Sequence, residues 1–116
     1  MSQALNTALT ALRAFEIRLD VNASNIANVN TDGFRSTTAV LQETVPAGVR
    51  VSLTQNNSPG FPLGVNERTG EERLSSNVNL AEEFADQMVT RYALVANLLT
   101  IITADEMDQA LMDLKI

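Results

Sequence analysis

The sequence predicts a mainly α protein, in which two long terminal helices pair as an antiparallel coiled coil with a short β-hairpin module between them. Three observations carry this expectation. Apolar residues recur at helical spacing at both ends of the 116-residue chain. No glycine or proline precedes Gly33, and none follows Asn79. All three prolines and four of the five glycines fall between Ser36 and Ser76, so the residues that break helices are confined to the middle.

In the first segment, Leu5, Leu9, Leu12, Glu16, Leu19, Ala23 and Ile26 follow each other at alternating four- and three-residue steps, which places them on one stripe of a helix. The unbroken pattern predicts one helix over about residues 3 to 29, close to 40 Å long at about 1.5 Å per residue. Asp32-Gly33 then reads as a turn, because glycine takes a positive φ at little steric cost. The middle segment carries short β-branched pieces such as "GVRVSL", where Val49, Val51 and Leu53 alternate with polar residues. It predicts a strand at 48–54, a turn at Asn56-Asn57-Ser58-Pro59-Gly60 and a second short strand near 72–75. An isolated hairpin is marginal in water, so this module must lean on the helices or on another subunit.

Helical spacing returns at "NVNLAEEF", with Asn79 placed as N-cap and Glu82 three residues later, as in a capping box. Phe84, Met88, Tyr92, Val95, Leu99 and Ile102 form an apolar stripe that Met107, Leu111 and Leu114 continue. The pattern predicts a second helix of about 35 residues, roughly 50 Å long. Other apolar residues, Phe15, Ile17 and Val21 in the first helix and Leu94, Leu98 and Ile101 in the second, lie off these stripes. A two-helix hairpin cannot cover them all, and surplus apolar surface marks association. Segments 1–35, 36–77 and 78–116 are therefore read as one structural unit that is incomplete alone.

Composition narrows the function classes. The formal net charge is −6, and nucleic-acid binding needs clustered Lys and Arg, so DNA, RNA and anionic lipid are poor partners. The chain contains neither histidine nor cysteine, which removes the commonest general base, the thiolate nucleophile and the usual zinc ligands. The first residues lack a basic, apolar leader pattern, so no cleavable secretory signal is expected. The most apolar run, "ALVANLLTII" at 93–102, is too short to cross a bilayer, and no direct membrane insertion is expected.

Chemistry is sparse. Asp105, Glu106 and Asp108 are close in sequence but lie on an acidic helix without a glycine loop, which reads as a solvated or partner-facing surface rather than a metal site. Ser75 and Ser76 have no histidine to activate them, and Gly60, Gly64 and Gly70 do not form a phosphate loop. No catalytic residue, metal or cofactor is expected. Arg13, Arg18 and Arg91 read either as bidentate partners for carboxylates across an interface or as solvated charges. Tyr92 reads as a core or seam aromatic. Asn22, Asn25 and Asn28, spaced by three, line one side of a helix end. They either cap their own helix or bond neighbouring helices in an assembly, where a buried amide fixes register.

The segment "SNIANVNTDGFR" resembles the N-terminal signature of bacterial flagellar axial proteins, the rod and hook family, through Ser24, Asn25, Ala27, Asn28, Thr31, Gly33, Phe34 and Arg35. Asp32 stands where that pattern often has proline. "SNVNLAEEF" and "TADEMDQALM" are similar to the family's C-terminal helix, whereas "TRYALVAN" sets Arg91 and Tyr92 out of phase with it. The resemblance implies a structural subunit of the flagellar basal-body rod, polymerising through its terminal helices to transmit torque in motility. Its implied partners are copies of itself, other axial rod proteins and the flagellar type III export apparatus, with a location in the basal body. The short insert points to the proximal rod type or to a reduced member of the family. The implied assembly interface comprises Leu5, Leu9, Leu12, Asn25, Asn28, Thr31, Gly33 and Phe34 at one end. At the other it comprises Val78, Asn79, Leu80, Phe84, Asn97, Leu99, Ile102 and Met107. The competing reading is a small acidic export chaperone or adaptor that holds a partner helix.

Overall fold

The computed structural model describes residues 3–114. In chain order it contains α1 (Gln3–Ala27), β1 (Thr37–Glu43), β2 (Val49–Gln55), β3 (Pro62–Val65), β4 (Glu72–Leu74) and α2 (Leu80–Leu114). The terminal helices pair antiparallel, as expected: Asn97 of α2 lies against Ala8 of α1, while Asn22 of α1 lies against Glu83 and Asp86 of α2.

α1 ends at Ala27, two residues before the predicted limit. The last turn closes through the Asn28 amide on the Ser24 carbonyl, at 3.1 Å. Gly33 then adopts φ +73° and donates its N–H to the Leu74 carbonyl at 2.8 Å. A side chain at this φ would be strained, so the glycine turns the chain and ties it to β4.

The insert holds two separate antiparallel hairpins, one more than the sequence predicts. The expected strand at 48–54 is β2, paired with β1 from Thr37↔Gln55 to Glu43↔Val49. The expected strand near 72–75 is β4, paired with β3 across a register shift between Pro62 and Gly64. Neither β1 nor β3 is prominent in the sequence. β1 mixes Thr37, Thr38, Ala39 and Val40 without alternation, and β3 contains both proline and glycine, residues depleted in strands.

α1 packs against both the β1–β2 hairpin and α2. Ala39 of β1 and Ala14 of α1 are buried, and small side chains at such positions let sheet and helix approach closely. Thr10 fastens this layer: its hydroxyl donates to the Thr7 carbonyl at 2.7 Å and accepts the Val49 N–H at 3.0 Å. The fold is elongated, 78 × 25 × 19 Å along its principal axes.

At the start of α2, Asn79 caps the helix as predicted, its Oδ1 accepting the Glu82 N–H at 3.2 Å. The far end differs. The register that sets Ala8 beside Asn97 brings Gln3 level with Ile102, so the last α2 residues, 103–114, run past the described part of α1 for about 18 Å.

Candidate assembly interface

On α2 the seam is not the one that the apolar stripe predicts. On α2, up to residue 104, the half-buried or buried positions are Glu83, Asp86, Gln87, Thr90, Ala93, Leu94, Asn97, Ile101 and Ala104. They recur at three- and four-residue steps, so they occupy one face. On α1 the bonded positions are Ala8, Arg18 and Asn22, each one residue before a member of the predicted stripe. Polar side chains supply the hydrogen bonds across this seam. Arg18 grips Asp86 through Nε at 3.1 Å and through a second contact from Nη2. The Asn22 amide donates to Glu83 Oε2 at 2.8 Å and to Asp86 Oδ2 at 2.9 Å. Asn97 Nδ2 donates to the Ala8 carbonyl at 2.7 Å.

The predicted stripe consequently faces outward. At about 100° per residue, Phe84, Met88, Val95 and Leu99 lie across the helix from Thr90 and Asn97. Phe84 is 47% exposed, Met88 62%, Val95 54%, Leu99 60% and Ile102 53%. Tyr92, expected in a core or seam, is 79% exposed. Met88, Arg91, Tyr92 and Val95 line a shallow groove of about 350 Å³ on this face. Beyond the end of α1, Met107, Leu111, Met112 and Leu114 are exposed as well. Full burial of each large apolar side chain is worth about 1.5–3 kcal/mol, so this face carries a large unrealised driving force for association.

The other named residues fall into two groups. Leu5 is buried, and Leu9 and Leu12 are half-buried, inside the chain. Thr31, Gly33, Phe34, Val78, Asn79 and Leu80 gather where α1 leaves for the insert and the chain returns to α2. Val78, Asn79 and Leu80 form one wall of a groove there, about 460 Å³, facing Phe61 and Pro59.

The asparagines divide between roles. Asn25 is 1% exposed and clamps β1 through both of its amide groups: its Nδ2 donates to the Thr37 carbonyl at 2.7 Å and its Oδ1 accepts the Thr37 N–H at 3.0 Å. Asn28 closes its own helix end, donating to the Ser24 carbonyl at 2.8 Å and accepting the Thr31 hydroxyl at 3.0 Å. Asn77 is a clamp that the sequence reading missed. Its Oδ1 accepts the Ser36 N–H at 2.7 Å, and its Nδ2 donates to the carbonyls of Asn56 and Ser58 at 2.8 and 2.9 Å. Two amides thus anchor the open end of the β1–β2 hairpin. The recurring Ser-Asn of "SNIAN" and "SSNVN" was the available signal, but local spacing cannot reveal a partner some 40 residues away.

Among the described residues, no three His, Cys, Asp or Glu side chains converge to hold a metal ion, and no helix is long and apolar enough to cross a membrane. The geometry defines a paired-helix module with a closed, polar seam and an open, apolar face.

Comparison with known proteins places this module. A family described as flagella basal body rod protein matches residues 5–35, which are most of α1 and its turn. A second, described as flagellar basal body rod FlgEFG protein C-terminal, matches residues 74–114, which include all of α2. The chain is also 39% identical over 88 residues to flagellar basal-body rod protein FlgG of Buchnera aphidicola subsp. Baizongia pistaciae (strain Bp). That match covers 71% of this chain but 34% of the relative, so the chain spans about a third of the relative's length. The chain belongs to the flagellar basal-body rod protein family.

Proposed function

We propose that this chain is a structural, non-enzymatic subunit of the bacterial flagellar basal-body rod, joined to like subunits through its helical pair so that torque passes along the assembly. The observation that carries this reading is the outward apolar face of α2, on a helix that lies within the family match. An isolated chain gains nothing by exposing Met88, Val95 and Leu99, whereas a neighbouring helix buries them. The contact surface in this reading is Phe84, Leu99, Ile102 and Met107 with the intervening Met88, Tyr92 and Val95. The patch of Thr31, Gly33, Phe34, Val78, Asn79 and Leu80 forms a second contact at the insert end. Leu5, Leu9, Leu12, Asn25, Asn28 and Asn97 act indirectly, by holding that surface in shape. The partners are copies of this chain and other rod proteins, reached after passage through the flagellar type III export apparatus.

The test is quantitative immunodetection of the chain in purified basal bodies and in cytosol, in cells with and without a working flagellar export apparatus. Export-dependent presence in basal bodies is the expected result. Retention in the cytosol of both strains would overturn the reading and favour a chaperone.

A further inference from the structure

We propose that the polar contacts of the α1–α2 seam are an orientation lock, which turns α2 so that its most apolar face points away from α1. The need for an oriented face rests on the reading above; the lock itself is argued from the seam. A helix paired in water ordinarily turns its apolar stripe toward its partner. Here Glu83, Asp86, Gln87, Thr90 and Asn97 turn toward α1 beside Ala93, Leu94 and Ile101, while the more continuous apolar stripe of Phe84, Met88, Val95 and Leu99 turns to solvent.

Three contacts, spread over about four turns of α2, oppose rotation. Arg18 holds Asp86, Asn22 holds Glu83 and Asp86, and Asn97 holds the Ala8 carbonyl. Turning the apolar stripe inward would separate all three at once and would leave Asn22, now 4% exposed, without its acceptors. The bonds therefore choose between two faces that are both capable of packing. Buried polar groups play this part in coiled coils, where they select one arrangement at a cost in stability.

A second observation separates a lock from a seam built for strength. Thr90 is 1% exposed and its Oγ1 has no hydrogen-bond partner among the described residues, nor has Oδ1 of Asn22. Unpartnered polar atoms at the centre of an interface lower its stability. A seam lined with the leucine, valine and methionine of the outer stripe would avoid them. The arrangement sacrifices strength in the helical pair and keeps the apolar face available.

The absence of cysteine allows a direct test on the full chain. Thr90→Cys reports on the seam and Leu99→Cys on the outer face, each read by its alkylation rate at a concentration where the chain is monomeric. With the lock intact, the thiol introduced by Thr90→Cys is expected to react at least about tenfold more slowly than the one introduced by Leu99→Cys, because the seam must open before the buried thiol is reached. In the background Arg18→Ala/Asn22→Ala/Asn97→Ala, α2 is expected to turn, so that the ratio falls toward one or reverses. An unchanged ratio in that background would overturn the proposal, and so would loss of α2 helicity, since a contact that only orients leaves the helix formed. Asn97→Ala alone, which keeps the Arg18 and Asn22 contacts, is expected to narrow the ratio without unfolding; an unchanged ratio there counts equally against the lock. These rates are read on monomers. Failure of the chain to enter basal bodies would therefore strike the proposed function and leave the lock standing.

Discussion

At the scale of single residues, asparagine illustrates how one side chain type serves different ends within a few turns. Asn25 pairs both its amide groups with the backbone of Thr37 inside the fold, whereas Asn28 bonds only within its own helix terminus. Their substitution should therefore separate. Asn25→Ala leaves a backbone N–H and a carbonyl without partners at a buried position, which is expected to cost about 2 kcal/mol. Asn28→Ala removes a partly exposed cap and should cost less than about 1 kcal/mol. Urea unfolding of both variants beside the parent measures the difference, and equal losses would refute this division. The sequence showed that amides at this spacing need partners but left two kinds open. Asn25 takes neither, since its partner is the Thr37 backbone of β1 beside the helix end.

At the scale of elements, α2 combines two faces that a hydropathy reading ranks in the wrong order. Its outer face is the more apolar one, so pattern alone assigns it to the seam. The contacts from Arg18, Asn22 and Asn97 reverse that assignment. A consequence follows for Met88 and Leu99, which are 62% and 60% exposed. The double substitution Met88→Gln/Leu99→Gln removes apolar area from the outer face while touching no seam contact. Thermal unfolding of the monomer should change by no more than about 0.5 kcal/mol for each substitution, as for other surface positions. Recovery of the chain in basal bodies should fall sharply. A large loss of monomer stability would instead place these side chains in the helical pair. The cap at Asn79 was, by contrast, fully legible, because the bond to the Glu82 N–H joins residues three apart.

At the scale of the whole molecule, the layers are unevenly supported. α1 packs against both the β1–β2 hairpin and α2, and α2 against α1 alone among the named elements, while the stretch at 103–114 extends beyond the described part of α1. Helices gain most of their stability in water from packing rather than propensity. Amide hydrogen exchange of the monomer should therefore show the C-terminal turns of α2 losing protection first and the Ala8–Asn25 region last. Assembly should slow exchange in 103–114 if a neighbouring subunit covers its exposed Met107, Leu111 and Leu114. Rapid exchange there in the assembled rod would remove this stretch from the interface.

What the sequence determined by itself are the features set by near neighbours in the chain. These are two long helices, the breaks between them, the turn at Gly33, the cap at Asn79 and the excess of apolar surface. Each depends on backbone preferences or on side chains within a turn of one another, so spacing carries the information. The flagellar axial signature was legible for the same reason, as short runs at fixed positions. What only the tertiary structure decided was which faces meet. The clamps at Asn25 and Asn77 and the rotation of α2 depend on partners between about 12 and 90 residues away, and the second hairpin on strands, β1 and β3, whose own residues carry little strand pattern. A periodic pattern states that a face exists; the hydrogen bonds of Arg18, Asn22 and Asn97 state which way it turns.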